Sequence, residues 1–206
     1  INWILINKKL DFNIKKLDVI NPFKIFIPHW SYIIPEEIFQ KYECVVFHMT
    51  DLPYGRGGSP LQNLISRGID STKISALKVE KGIDSGDIYL KENLELKGNA
   101  NEIFIRANKI IQKMIISIIQ KKIEPIPQTG KITEFKRRKP HESNIEKLET
   151  LSKVYDYIRM LDADGYPKAY LENNFLKFEF NDAKFKNKNE ITATVKIKIK
   201  TKKDEK

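Results

Sequence analysis

His48 closes a short apolar run, Cys44–Met49 (CVVFHM), and borders Thr50–Pro60 (TDLPYGRGGSP), which holds three glycines and two prolines in eleven residues. The run reads as a strand buried on both faces and the stretch after it as a loop. Asp84 follows 36 residues later in a second glycine-bounded turn, Gly82–Asp87 (GIDSGD). A carboxylate beside an imidazole fixes its tautomer and stabilises its protonated form, which is what a general base needs. In an open α/β sheet such groups meet in the crevice beyond the C-terminal strand ends. A second histidine, His29, follows another apolar run, Asn21–Pro28 (NPFKIFIP), in Pro28-His29-Trp30-Ser31. The third, His141, reads as a solvated linker residue. Three histidines without ligand spacing and one cysteine, Cys44, leave neither a zinc site nor an intrachain disulfide framework.

The elements that must position these groups alternate. Ile1–Ile6 reads as an interior strand and Asn21–Pro28 as a buried one, and Pro35-Glu36-Glu37 opens a helix with acids at the positive end of its dipole. Beyond the glycine loop, Leu61–Arg67 is helical and is closed by Gly68. Strands follow at Thr72–Val79 and Ile88–Leu96. The longest helix is Asn99–Lys122, with Asn99 and Glu102 as a capping box and Ile103, Ala107, Ile110, Met114 and Ile118 on one stripe. Glu124–Pro140, with three prolines and a basic triplet, reads as a connector. Ser143-x-x-Glu146 then caps a helix bearing Leu148, Leu151, Tyr155, Ile158 and Leu161, and Ala169–Leu171 with Phe175–Phe180 suggests a hairpin. Ile191–Ile199 alternates as a one-sided strand. The expected fold is α/β: an open, Rossmann-like, mostly parallel sheet with helices on both faces, plus a small C-terminal α+β module. The expected divisions are 1–123, a linker at 124–142, and 143–206 ending in a basic tail.

Composition limits the class. The 206 residues are 41% hydrophobic and 31% charged, enough for one sizeable core and too apolar for a disordered chain. Ile110–Ile119 is the most apolar run, but Gln112 and Lys113 interrupt it well short of the ~20 residues a bilayer needs. No secretory signal is visible, so a cytoplasmic protein without membrane contact is expected. The chain does not begin with Met, and 1–123 is expected to be shortened at its N-terminus. The net charge of +10 rests on 31 lysines spread along the chain and only six arginines. That distribution favours a solvated basic surface over a phosphate-reading one, with no nucleic-acid partner expected.

The run His48-Met-Thr-Asp-Leu-Pro53 with Arg56-Gly57, Pro60 and Gln62, followed by Gly82-Ile-Asp84-Ser-Gly86-Asp87, resembles the formyltetrahydrofolate-dependent formyltransferases. That family carries N-x-H-x-S-L-L-P-x-x-R-G-x-x-P-x-Q and then G-L-D-T-G-D at the same distance. Ile33-Ile34-Pro35 matches its I-L-P segment, and Tyr157–Leu171 its I-R-A-L start of a small C-terminal domain. The resemblance implies that residues 1–123 are the catalytic domain and that N10-formyltetrahydrofolate is the donor. His48 would be the general base and Asp84 its support. The donor's pterin would lie against Trp30, Ser31, Tyr32, Ile33 and Ile34 on one side and Glu80, Lys81, Gly82 and Ile83 on the other. Thr50, Asp51, Tyr54 and Arg56 would border the acceptor pocket. Arg56 either bonds the loop's own carbonyls or faces a phosphate, and Asp51 either binds an acceptor hydroxyl or caps the loop. One departure stands out: the family's asparagine is Val46, which has no hydrogen-bond donor. His29 is the candidate to replace it beside the formyl oxygen, or else a capping or packing residue. The loop's form is similar to the amino-sugar formyltransferases, which makes a nucleotide-linked amino sugar the expected acceptor. Methionyl-tRNA, and a non-catalytic basic binding module, are the alternatives. The exposed strand Ile191–Ile199 suggests a homodimer contact.

Overall fold

The computed structural model describes residues 1–29 and 32–200. Two members of the expected donor slot, Trp30 and Ser31, lie outside the described residues, as does the end of the basic tail.

A four-stranded sheet of order β1-β2-β4-β5 forms the centre, with β1 Ile25–Ile27, β2 Cys44–His48, β4 Ser71–Lys78 and β5 Ile88–Glu95. Its pairings are mixed. β1 lies parallel to β2, with Ile27 opposite Val46, and β2 and β5 both run antiparallel to β4. The short connection 79–87 between β4 and β5 allows only an antiparallel return, since a parallel crossover needs a dozen residues or more. Because β2 is inside the sheet, alternate side chains enter different layers. Val45 packs into the main core, whereas Cys44 and Val46 join the opposite layer.

Helices cover both faces. On the main-core side α4, Ala100–Gln120, buries Ala100, Ile103, Ala107, Ile111, Met114 and Ile118 against Ile74, Ala76 and Leu94. Ile111 occupies the stripe, and Ile110 is only half-buried. Each fully buried large apolar side chain there is worth about 1.5–3 kcal/mol. The expected capping box is present: Asn99 accepts from the Glu102 N–H and Glu102 accepts from that of Asn99, both at 2.9 Å. On the other face α1, Ile14–Ile20, and α2, Glu36–Lys41, contribute Leu17 and Ile38. The sequence reading missed α1, a seven-residue helix capped by Asn13. Ile1–Ile6, expected as a strand, joins no ladder, because β1 pairs only with β2. The segment lies instead across the β1 side, with Trp3 against Phe26 at 6.4 Å between ring centroids.

Behind α4, α5 (Leu151–Arg159) begins at a Thr150 cap rather than near Ser143, which belongs to a 3-10 turn at Pro140–Ser143. A three-stranded antiparallel sheet follows: β7 Ala169–Glu172, β8 Leu176–Asn187 and β9 Glu190–Ile199. This small module shares the main core, since Ile158, Met160, Leu161 and Ala169 belong to the same cluster as the α4 stripe. Buried Arg159 seals the junction by donating to the carbonyls of Leu96 (2.6 Å) and Gly98 (3.0 Å) while pairing with Asp156. Strand β9 forms the outer edge of that sheet, with Val195, Ile197 and Ile199 exposed. Among the described residues no helix is long and apolar enough to cross a membrane.

Candidate active site

At the C-terminal end of β2 the His48 ring is buried, and its Nδ1 lies 3.4 Å from Asp84 Oδ2. The contact is of ion-pair length, longer than a tight hydrogen bond. The other ring nitrogen, Nε2, donates to the Gly55 carbonyl at 2.8 Å. A neutral imidazole can donate to only one of these two acceptors. Asp84 has φ +50, a left-handed conformation that costs a non-glycine residue about 1–3 kcal/mol and that surrounding bonds must hold. One such bond is direct: the Gly57 N–H donates to Asp84 Oδ2 at 2.9 Å, linking the glycine loop to the carboxylate.

The segment read as a connector is built into this site. Its β6, Glu134–Phe135, runs parallel to β3, Arg56–Gly57, inside the glycine loop. The Gly55 N–H donates to Thr133 Oγ1 at 2.7 Å, the Arg56 N–H to the Thr133 carbonyl at 3.0 Å, and the Gly58 N–H to the Phe135 carbonyl at 2.9 Å. So close is the strap that a Cβ on Gly57 would sit 2.5 Å from the Phe135 carbonyl oxygen, and one on Gly58 2.5 Å from Arg137 Cβ. Gln128 completes the attachment. Its Oε1 accepts from Arg56 at 3.2 and 2.8 Å, and its Nε2 donates to the carbonyls of Asp84 (2.9 Å) and Gly86 (2.8 Å). Gln128, Thr133 and Phe135 escaped the sequence reading, because isolated residues in a proline-rich stretch carry no periodicity or motif spacing.

The residues expected to border the acceptor pocket are mostly occupied in shaping the loop. Thr50 is fully buried, and its hydroxyl points at the Gly55 carbonyl at 3.4 Å. Asp51 bridges Lys91 (2.6 Å) and Lys73 (3.0 Å) on β5 and β4. Burial pushes its carboxyl up, but the two lysines outweigh that effect and hold it below the usual carboxylate range. Tyr54 packs edge-on against Phe135 at 5.5 Å, and Arg56 is bound to Gln128. The Arg56 guanidinium meets a side chain of the strap, Gln128, rather than one of the loop's own carbonyls. Asp51 and Tyr54 also line a dent of about 260 Å³ beside Thr72, Lys73 and Asn93.

His29, expected beside the formyl oxygen or else as a packing residue, has φ +54, its Nε2 lies 2.6 Å from Asn108 Oδ1 on α4, and its ring meets Phe104 edge-on. Val46 packs with Leu52, Leu77 and Ile88, so a polar side chain there would lose its hydration without gaining a partner in that cluster. Of the expected donor slot, Ile34 is buried in one apolar cluster with Val79, bringing the segments that contain Tyr32–Ile34 and Glu80–Ile83 together. Ile33 and Ile83 leave their side chains in solvent at 89% and 68% exposure. Two exposed apolar side chains from neighbouring segments suit the faces of a flat heterocycle, and Tyr32 is exposed beside them. Glu80, Lys81 and Gly82 are exposed in the same turn, where Ser85 donates to the Lys81 carbonyl at 3.2 Å.

The family model described as methionyl-tRNA formyltransferase, C-terminal domain, matches residues 140–198. A methionyl-tRNA formyltransferase of Thermodesulfovibrio yellowstonii is 30% identical over an alignment of 179 residues that covers 83% of this chain and 56% of that protein. The chain spans about half the length of the curated relatives it matches. The solved methionyl-tRNA formyltransferase from Clostridium thermocellum is 53% identical, with 95% of this chain and 86% of that one covered at a TM-score of 0.92. A 4-N formyltransferase from Francisella tularensis shares the fold at 20% identity, with 79% and 72% of the two chains covered and a TM-score of 0.63. The chain belongs to the formyltransferase family that contains methionyl-tRNA formyltransferase.

Proposed function

We propose that the protein transfers a formyl group from N10-formyltetrahydrofolate to the amine of an aminoacyl-tRNA, methionyl-tRNA first among them. The observation that carries this reading is the His48–Asp84 pair, 3.4 Å apart at a strand end, in a chain 53% identical to a solved relative of that name. As the amine forms its bond to the formyl carbon, His48 would take the proton the amine loses and return it to N10 of the donor as the formyl C–N10 bond breaks. Asp84 orients the ring and offsets the positive charge it carries between the two transfers. The Gly57 N–H holds Asp84 in place from the side opposite the turn. Ile33 and Ile83 would hold the donor, which supplies an activated formyl carbon when bound. With Asp84 against Nδ1, Nε2 is the nitrogen that meets the acceptor, so the amine takes the place of the Gly55 carbonyl.

This revises the expectation of an amino-sugar acceptor and of no nucleic-acid partner. Solved sugar N-formyltransferases match at 14–20% identity, a likeness of fold alone. Within the strap, exposed Arg137 stands beside Gly58, flanked in sequence by exposed Lys136 and Lys139, where a polyanionic acceptor would pass. In the sequence this run stands out as a basic triplet but, with lysines dispersed along the whole chain, carries no role of its own. The test is formyl transfer from labelled donor to methionyl-tRNA and to a nucleotide-linked amino sugar in parallel. Turnover of the tRNA, falling steeply with salt, is expected; turnover of the sugar alone would overturn the acceptor assignment.

A further inference from the structure

Asp84 is useful to His48 only if its turn stays put, and from the strap Gln128 bonds directly to the backbone of that turn. The Gln128 side chain is half-buried and uses both ends of its amide. Its Nε2 donates to Asp84 O at 2.9 Å and Gly86 O at 2.8 Å, the carbonyls on either side of Ser85. Its Oε1 accepts from Arg56 at 2.8 Å, one residue before the Gly57 N–H that binds the Asp84 carboxylate. A closed circuit results: Gln128 to the backbone of Asp84, the Asp84 carboxylate to Gly57, and Arg56 back to Gln128. His48 is the neighbour the circuit faces, through Asp84 Oδ2.

We infer that Gln128 is a positioning residue for the base pair: it sets where the Asp84 carboxylate stands relative to the His48 ring, without touching the reacting atoms. The inference rests on the reading of His48 and Asp84 as the catalytic pair. Simple adhesion of the strap would need only one of the four bonds. The two donated to the Asp84 and Gly86 carbonyls fix the orientation of the left-handed Asp84 residue itself. A neutral residue is also the fitting choice here. Glutamate could still accept from Arg56 but would set a carboxylate against two carbonyl oxygens.

The test compares Gln128→Met, which keeps length and neutrality but removes all four bonds, with Asp84→Asn in the full chain. For Q128M the expected result is kcat lower by about 10- to 100-fold, the cost of a misplacement of roughly 1 Å. KM for the acceptor should stay within about twofold, and the acidic limb of the kcat/KM profile should move to lower pH as Asp84 loses its hold on the ring. A role confined to folding would lower the amount of active protein and leave that limb where it was. Should Q128M fail to fold, Q128N, the same amide one methylene shorter, carries the same readout. A wild-type pH profile in the folded variant overturns the inference, whatever its rate. If D84N itself keeps the wild-type rate and profile, the catalytic-pair reading fails and this inference falls with it. If D84N is impaired while the Gln128 variant is not, only the role of Gln128 is refuted.

Discussion

The glycine loop around His48 and the sheet β7–β9 are built on opposite plans. In the loop, the contacts that anchor it to the Asp84 turn and the strap span long stretches of sequence: 27 residues from Gly57 to Asp84, 72 from Arg56 to Gln128 and 78 from Gly55 to Thr133. In the C-terminal sheet, β8 and β9 are joined at Asn187 and Glu190, and their register follows the alternation of Phe178 opposite Ile197 and Phe180 opposite Val195. Its ion pairs, such as Lys198–Glu179 and Lys186–Glu190, lie on the surface. The difference shows where geometry is expensive to disturb. A hairpin tolerates change because neighbouring pairs repeat the same information, whereas each long-range anchor of the loop is present once.

The sharpest separation should come from the reacting pair. His48→Ala or Asp84→Asn is expected to lower formyl transfer by about 100- to 10,000-fold with the far-ultraviolet dichroism unchanged. Full activity in either would remove the distinction between the two regions altogether. Next come the glycines that admit the strap and close the turn. A Cβ on Gly86 would stand 1.9 Å from the Lys78 carbonyl oxygen. Gly86→Ala should therefore cost at least about 1–3 kcal/mol in urea unfolding, and activity should fall with it as the Asp84 turn shifts.

Asp51 gives a smaller and pH-dependent effect. Its folded carboxyl is held below the usual range, so its stabilisation is complete above the unfolded value of about 3.9 and is lost as pH falls through the lower folded one. The advantage of the native chain over Asp51→Asn should therefore shrink as unfolding is followed from pH 6 downward. At 44% side-chain exposure it should stay under about 1 kcal/mol even at pH 6. Smallest of all, Lys198→Ala on β9 should change stability by no more than about 0.2–1 kcal/mol and leave formyl transfer untouched. A loss comparable to that of Gly86→Ala would erase the contrast from the other side.

Cys44 bears on legibility. The sequence marks it as the lone cysteine of a buried strand, and in the structure burial pushes its thiol up to about 12, with Glu43 adding to the effect. Strands β2, β4 and β5, the capping box of α4 and the late hairpin were also legible, because local alternation or cap spacing encodes them. Others were not. The helix α1 is a single amphipathic fragment of seven residues, too short for its period to stand out, and its Leu17 is buried in a cluster with Ile34, Ile38, Tyr42 and the β1–β2 face. The six residues at the start have strand composition but find no ladder partner. For the site, His48 and Asp84 were identified by motif and found together, whereas His29 was placed by chain proximity and turned out to face α4.

The sequence by itself determined the alternation of strands and helices, the histidine at a strand end and the aspartate in a turn, since each depends on neighbours within a few residues. Only the tertiary structure decided that a proline-rich connector would become the strap holding the loop. It also decided that Arg56 and Asp51 would be consumed by Gln128 and two lysines rather than left for a ligand. Those outcomes depend on which polar groups find partners once water is excluded, and a buried donor or acceptor bonds whatever the fold brings near it, however distant in the chain.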